Sequence, residues 1–503
     1  MRHPALPILL LLAAAPALAQ DAGPGTAVTV YSTPAADPNQ VQQVFNPRTG
    51  MWEQPIPGFS IVKVRRNLRL EAGINAVRFE DVAAGIDGST VLFRSLTDPA
   101  GTKVLEQNFE YDLAGADRIL DRYLGKEVSV VRNEAAYDGR LLSFDAGTLV
   151  LALRDETVIL ARDERIQRIA LKGLAGGLVT KPTLAWSLQA AKAGEHLVET
   201  AYETGGMSWS ADYTAVVSED ETRADLSAWV TIRNESGATY ADAALKLVAG
   251  DVHRAPAPGA AGGQFGMLKA AVAMEMDGAA GFTEKPFFEY HLYTLGRRTT
   301  LPDRSLKQIE LFPPVAGVAC RKVYLYDGAR GMQPWYGQGP NMEENFGETG
   351  NRKVGVFLEF ENRESVGLGI PLPAGRMRVH KRDEADGFPE LVGEDALDHT
   401  PKDEKVRLKM GDAFDVVGER KRTGFRADYD SKWMEESFEI RLRNHRKEAV
   451  EVLVAERLFR WVNAEIVRKS GEFLQKDAQT VHFPVKVGAD QEATLSYTVR
   501  YTW

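Results

Sequence analysis

The densest group of side chains able to do chemistry is Gly393-Glu394-Asp395-Ala396-Leu397-Asp398-His399-Thr400-Pro401-Lys402-Asp403-Glu404. Carboxylates beside an imidazole are a donor set for a divalent cation, which makes Asp395, Asp398 and His399 the candidate metal ligands. The competing reading is a solvated loop in which Pro401 ends strand pairing. Just upstream, Arg376, Arg378 and His380 alternate along one strand face and form a candidate patch for an anion or a partner. The acidic segment is equally able to neutralise them within the fold. The eight histidines include no i,i+4 pair and no His-Glu-x-x-His. Gly206-Met207-Ser208-Trp209-Ser210 approaches a nucleophile elbow but lacks its last glycine, and reads as a turn with Trp209 in a core. Ser60-Ile61-Val62-Lys63 has the Ser-x-x-Lys spacing, yet it lies in a strand pattern where that chemistry needs a helix start. Cys320, the only cysteine, has apolar neighbours and reads as a small buried residue rather than a nucleophile. These residues assign no catalytic group and no cofactor.

The elements that must position these residues are strands of an exported protein. Residues 1–20, MRHPALPILLLLAAAPALAQ, place one Arg before an apolar stretch and Ala17-Leu18-Ala19, the pattern of a secretory signal peptide cleaved near Gln20 or Asp21. The expected location is the periplasm or cell envelope of a bacterium. The stretch is too short to anchor the chain, and no other could span a bilayer as a helix, so no transmembrane helix is expected. With a single cysteine no intrachain disulfide can form, and stability must come from packed cores. A length of 503 residues implies several domains. The hydrophobic share of 44% and charged share of 26% exclude a disordered chain and a polytopic helical membrane protein. A net charge of −9 supplies no long-range attraction for phosphate backbones, so nucleic acid is not an expected partner.

Periodicity divides the chain. Residues 21–57, rich in Pro, Gln, Asn and Gly, read as a flexible arm, and 58–112 as an N-terminal β domain of short strands broken by glycine turns. In 113–175 a helix with Leu113, Ile119, Leu120, Tyr123 and Leu124 on one face, closed by Gly125, precedes five short strands, the pattern of a small SH3- or Sm-like barrel. Residues 176–325 and 326–503 read as two β-sandwiches, in which Leu226, Ala228, Val230 and Ile232 point one way along a strand. The Ala- and Gly-rich stretch 254–285 reads as a mobile excursion, and a second glycine-rich loop follows Asp327. Three segments echo one another: a strand ends at Asn234, Asn362 or Asn444, a turn follows and a strand returns. They are expected to be consecutive hairpins whose asparagine caps the turn or takes the left-handed conformation. The expected class is therefore mainly β and multi-domain, antiparallel β-sandwiches with a small barrel module. The closing alternation Leu495, Tyr497, Val499, Tyr501, Trp503 also suits an outer-membrane barrel, but other strands carry charges on both faces.

Longer strings carry a resemblance. HLVETAYETGGMSWSADYTAVV, LSAWVTIRNESGATYADAALKLVAGDV, the segment from IPLPAGRMRVHKRD to GDAFDVVGERK, and ATLSYTVRYTW together resemble a bacterial domain-of-unknown-function family of mucoidy-inhibitor-A-like proteins, over roughly residues 180–503. Residues 58–112 are similar to the short β domain that often precedes it. The long coiled coil of the best-known members has no counterpart, and the barrel-like module stands in its place. The family has no established catalytic residues, so the resemblance assigns none. It is consistent with an exported cell-envelope protein in a non-catalytic binding or scaffolding role, holding an envelope protein, peptide or glycan on loops at a sandwich end. The alternatives are a hydrolase, in which His399 converges with Asp395 and Asp398, and an outer-membrane-associated β protein.

Overall fold

A computed structural model describes residues 23–32, 44–46, 51–53, 58–110, 116–172, 181–250, 252, 281–331, 335, 337, 339–347, 350–383 and 385–503. The segment read as a signal peptide, and most of the Ala- and Gly-rich stretch, lie outside them. The chain is mainly β, and alternation decides its faces. In Met207–Val217 every odd-numbered residue is buried and none of the even-numbered ones is.

One chain path is laid down twice. In the first sandwich, Gly25–Tyr31 runs parallel to Tyr240–Ala249 and antiparallel to Phe59–Leu70. Phe59–Leu70 pairs with Gly194–Gly205, and the chain then continues through Gly206 into Met207–Val217. Met207–Val217 pairs with Arg223–Asn234, which pairs with the first part of Ser305–Asp327. In the second sandwich, the later part of Ser305–Asp327 runs parallel to Val450–Arg457 and antiparallel to Lys353–Glu361. Lys353–Glu361 pairs with the start of Lys405–Asp428, whose continuation pairs with Trp433–Asn444, which pairs with Gln491–Thr502. Each path bends at a glycine with positive φ, Gly206 at +76° and Gly411 at +150°. A side chain at Gly206 would also meet the Glu235 carbonyl at 2.7 Å. The Gly206–Ser210 string is thus a bend between two sheets, with Trp209 buried beyond it and its indole N–H donating to the Val248 carbonyl at 3.2 Å.

These ladders redraw the expected boundaries. The shared strand Ser305–Asp327 runs through the division expected at 325, because its backbone groups are paired in both sandwiches. Residues 58–112 are not separate either: Phe59–Leu70 and Ile86–Ser95 both pair with Gly194–Gly205. The expected flexible arm contains the strand Gly25–Tyr31, whose Val28 and Val30 are fully buried between the two ladders. At the end of the Ala- and Gly-rich stretch, Phe282–Phe287 is a strand on Tyr290–Leu295.

The module of 116–172 is an insertion, since the strands on either side of it, Thr102–Glu110 and Thr183–Ala190, pair with each other. Its five strands are present but form an open sheet rather than a closed barrel, because the outer strands Thr157–Ala161 and Ile166–Leu171 are not paired to one another. Helix Ala116–Arg122 supplies Leu120, and Tyr123 follows it, to a core with Val128, Val130, Leu141, Leu149, Leu151 and Leu160. Gly125, at φ +77°, turns the chain as expected, whereas Leu124 is left exposed.

The three asparagines are buried, and their amides do the capping without the left-handed conformation. Asn234 Nδ2 donates to the Ala238 and Leu301 carbonyls at 2.9 and 3.0 Å, while its Oδ1 accepts from Ser236 N–H at 3.1 Å. Asn444 Nδ2 donates to the Glu448 and Gly488 carbonyls at 2.8 and 2.9 Å, and its Oδ1 accepts from Arg446 N–H at 3.0 Å. These two hold equivalent places in the duplicated path. Asn362 bonds the Ile370 and Pro401 carbonyls at 2.7 and 2.9 Å but does not sit in a hairpin. After it a 3-10 turn, Glu364–Val366, sends the chain to Gly375–Arg382, which pairs with Met207–Val217 instead. Loss of such an amide leaves buried carbonyls without donors, at about 1–3 kcal/mol each. Asn444→Ala and Asn234→Ala are each expected to lower the unfolding free energy by about 3 kcal/mol. Urea denaturation checks this, and unequal losses would argue against equivalent roles.

Candidate functional site

The candidate metal ligands do not converge. Asp395 lies on Pro389–Leu397, where its Oδ2 accepts from Lys409 N–H at 2.6 Å and its Oδ1 from Ala396 N–H at 2.9 Å. Asp398, past the strand end, is exposed, and His399 Nδ1 accepts from Ala374 N–H at 3.1 Å. Asp395 and His399 thus bond to backbone rather than to a common centre. Among the described residues no group of three His, Cys, Asp or Glu is placed to hold a metal ion.

The basic patch is neutralised within the fold. Gly375–Arg382 lies between Met207–Val217 and Pro389–Leu397, which brings Asp212 and Glu394 against its arginines. Arg378 Nε donates to Glu394 at 2.9 Å and its NH1 lies 3.7 Å from Asp212. Arg376 lies 3.6 Å from Glu394 and 4.0 Å from Asp212. His380, opposite Val216 and Leu391, stands apart, and its buried Nδ1 has no hydrogen-bond partner among the described residues. The acidic segment thus does meet the arginines, through Glu394. Trp229, directly opposite Asp212, completes this surface with its side chain 44% exposed. Its signal was in the alternation: with Leu226, Ala228, Val230 and Ile232 inward, Trp229 had to face out.

The other candidate nucleophiles are structural. Ser60 is buried in strand Phe59–Leu70 with its Oγ 3.0 Å from Met207 Sδ. Burial first, and the carboxylates of Asp220 and Glu221 after it, push the Cys320 thiol up to about 11, so it is protonated at neutral pH. His196, also buried, contacts Ser95 and Thr102 through Nδ1 at 3.3 and 3.4 Å. Its Nε2 lies 3.0 Å from the Lys192 carbonyl, so the network assigns the Nε2–H tautomer, with no carboxylate behind the imidazole.

The strongest electrostatic feature, which patterning did not reveal, is a charge network inside the second sandwich. Glu436, Glu456 and Arg460 have no exposed surface, and Arg420 is nearly as buried. Arg420 Nε donates to Glu456 at 2.9 Å, Tyr497 OH donates to the same carboxylate at 2.5 Å, and Arg460 pairs with Glu436 at 2.7 Å. Arg460 also donates to the carbonyls of Asn341, Glu343, Glu344 and Phe346 at 2.7 to 3.2 Å. Arg420 and Arg422 take those of Gly347 and Glu344. The described part of the second glycine-rich loop is therefore tied to the core through its backbone. Burial and Glu456 together raise the Tyr497 hydroxyl well above its ordinary value, so it stays a donor. These Arg–Glu pairs join residues 24 and 36 positions apart, which no local spacing announces.

No family model matches the chain, and no curated protein is significantly similar to it. The arrangement offers an outer face with an exposed indole beside paired charges, and internal ion pairs that fasten structure.

Breaking a buried pair by removing one partner costs about 3–5 kcal/mol. Arg460→Met is expected to fall in that range and to open the loop around 339–347 to protease. The double variant Arg460→Met/Glu436→Leu is expected to regain part of the stability, and limited proteolysis with urea unfolding reads both. A second pair sets an acid limit. Burial opposes ionisation of Glu359, but Arg321, at 2.8 Å, and Arg407 outweigh it and hold the carboxyl below its ordinary 4.5. A lowered folded pKa stabilises fully above the unfolded value and loses that contribution as pH falls through the folded one. The stability gap between the native protein and Glu359→Gln is expected to be constant from pH 7 to 5 and to shrink below about 4.5. Unfolding curves across that range would contradict the assignment if the gap grew on acidification.

Proposed function

We propose that the protein is an exported, non-catalytic binding protein of a bacterial cell envelope, of the short mucoidy-inhibitor-A-like kind. The secretory pattern of residues 1–20 and the ordered strings of residues 180–503 support the location and kinship. The observation that carries the binding role is the sheet face around Trp229, Asp212, Arg376, Arg378 and Glu394. It joins an exposed aromatic ring to polar groups fixed by their neighbours, the composition of a recognition surface. The face belongs to a sheet rather than to the loops at a sandwich end. The shared strand Ser305–Asp327 supports a scaffold that presents this surface without a hinge between the sandwiches.

Expression of the full chain in a bacterium, followed by fractionation and N-terminal sequencing, is expected to recover a form beginning at Gln20 or Asp21 outside the cytoplasm. An unprocessed cytoplasmic form would overturn the export reading. A photo-crosslinking amino acid at exposed Ser210, beside the face, is expected to give an envelope adduct that the same probe at exposed Lys476 does not. Identical adducts, or none, would remove the face from the binding role.

A further inference from the structure

The chemistry of that face narrows what it recognises. Five strands lie side by side in the order Pro389–Leu397, Gly375–Arg382, Met207–Val217, Arg223–Asn234, Ser305–Asp327. Four spacings of about 4.8 Å make the face roughly 19 Å wide. Across its middle, Trp229 stands next to Asp212, and Asp212 next to Arg376, as register partners in adjoining strands. Thr231 Oγ1 donates to Asp212 at 2.6 Å, and Gln308 Nε2 donates to Thr231 at 3.2 Å. A single network therefore runs from Gln308 through Thr231 and Asp212 to the two arginines and Glu394, with the indole beside it.

We infer that this face binds a neutral oligosaccharide or polysaccharide, with one sugar ring stacked on Trp229 and its hydroxyls bonded to Asp212 and Arg376. This rests on the binding role proposed above and specifies its ligand. The ring faces of a pyranose present C–H groups, which suit the negative face of an indole. Sugar hydroxyls both donate and accept, matching a carboxylate beside a guanidinium. The two arginines already face two carboxylates, and Glu310 stands opposite Trp229 on the next strand, so no spare positive charge remains to recruit an anion. Such a face suits an uncharged ligand over an anionic one. A peptide adding as a strand needs free backbone groups, and the three central strands have ladders on both sides. Because the network pre-orients its groups, little side-chain order is lost on binding.

The test is affinity electrophoresis of the mature protein in gels cast with soluble neutral glucan, mannan or galactomannan, and with anionic polygalacturonate. Retardation by at least one neutral polymer is expected. Trp229→Ala is expected to weaken it at least tenfold, Arg376→Met severalfold, and Trp229→Phe to retain most of it. Trp335→Ala, at a second exposed tryptophan, is expected to leave it unchanged. Trp229 is a surface side chain, so circular dichroism of its variants is expected to match the native protein. Retardation by no neutral polymer, by polygalacturonate alone, or undiminished in Trp229→Ala overturns the inference. If no sugar binds yet the Ser210 probe still captures a protein, the glycan assignment falls and the binding role stands. If both fail, both fall.

Discussion

The strand Ser305–Asp327 carries the constraint on which the rest of the molecule depends. Every buried backbone N–H and C=O needs a partner, and this strand finds its partners first in Arg223–Asn234 and then in Lys353–Glu361 and Val450–Arg457. It closes one sandwich and opens the next. The link between the two is therefore a continuous strand rather than a loop. Lys405–Asp428, paired early with Lys353–Glu361 and late with Trp433–Asn444, passes between sheets within the second sandwich in the same way. A chain with a single cysteine thus obtains from sheet continuity the restraint that cross-links give disulfide-bonded proteins.

Two kinds of buried polar group complete that frame. The amides of Asn234, Asn362 and Asn444 gather carbonyls where strands end, which lets turns be buried at all. The arginines of the second sandwich act at longer range. Arg460 reaches four loop carbonyls and one carboxylate, so the backbone of a glycine-rich segment is held against the core. Buried ion pairs add little net stability, because desolvation offsets attraction, but they tolerate few alternative arrangements. The loop over the second sandwich is accordingly fixed by charge as well as by the packing of Met342 and of Phe346 against Phe459.

The same rule accounts for the residues whose types and spacing suggested chemistry. The Ser60 hydroxyl, the Cys320 thiol and the His196 imidazole each face structural partners, and Asp395 faces backbone. The outer face around Trp229 differs in setting an exposed ring beside ion-paired side chains. Rigidity behind it and polar groups fixed within it suit recognition by fit.

Much of this was legible in the residues. Alternation announced the β class, the five strands of the inserted module, the core role of Trp209 and the outward position of Trp229, because a strand has only two faces. The asparagine echo announced turn capping, because few side chains can hold several backbone groups at once. Strand partners were not legible. Nothing in Gly25–Tyr31 says that it will lie between Tyr240–Ala249 and Phe59–Leu70, since backbone ladders are blind to side-chain identity and their register is set by the burial of distant faces. For the same reason the domain divisions, the dispersal of Asp395, Asp398 and His399, and the meeting of Arg376 and Arg378 with Asp212 were decided only in three dimensions. The sequence by itself determined which residues face inward and which segments turn. The tertiary structure decided who stands beside whom, because charge pairs and sheet neighbours join residues that the chain keeps far apart.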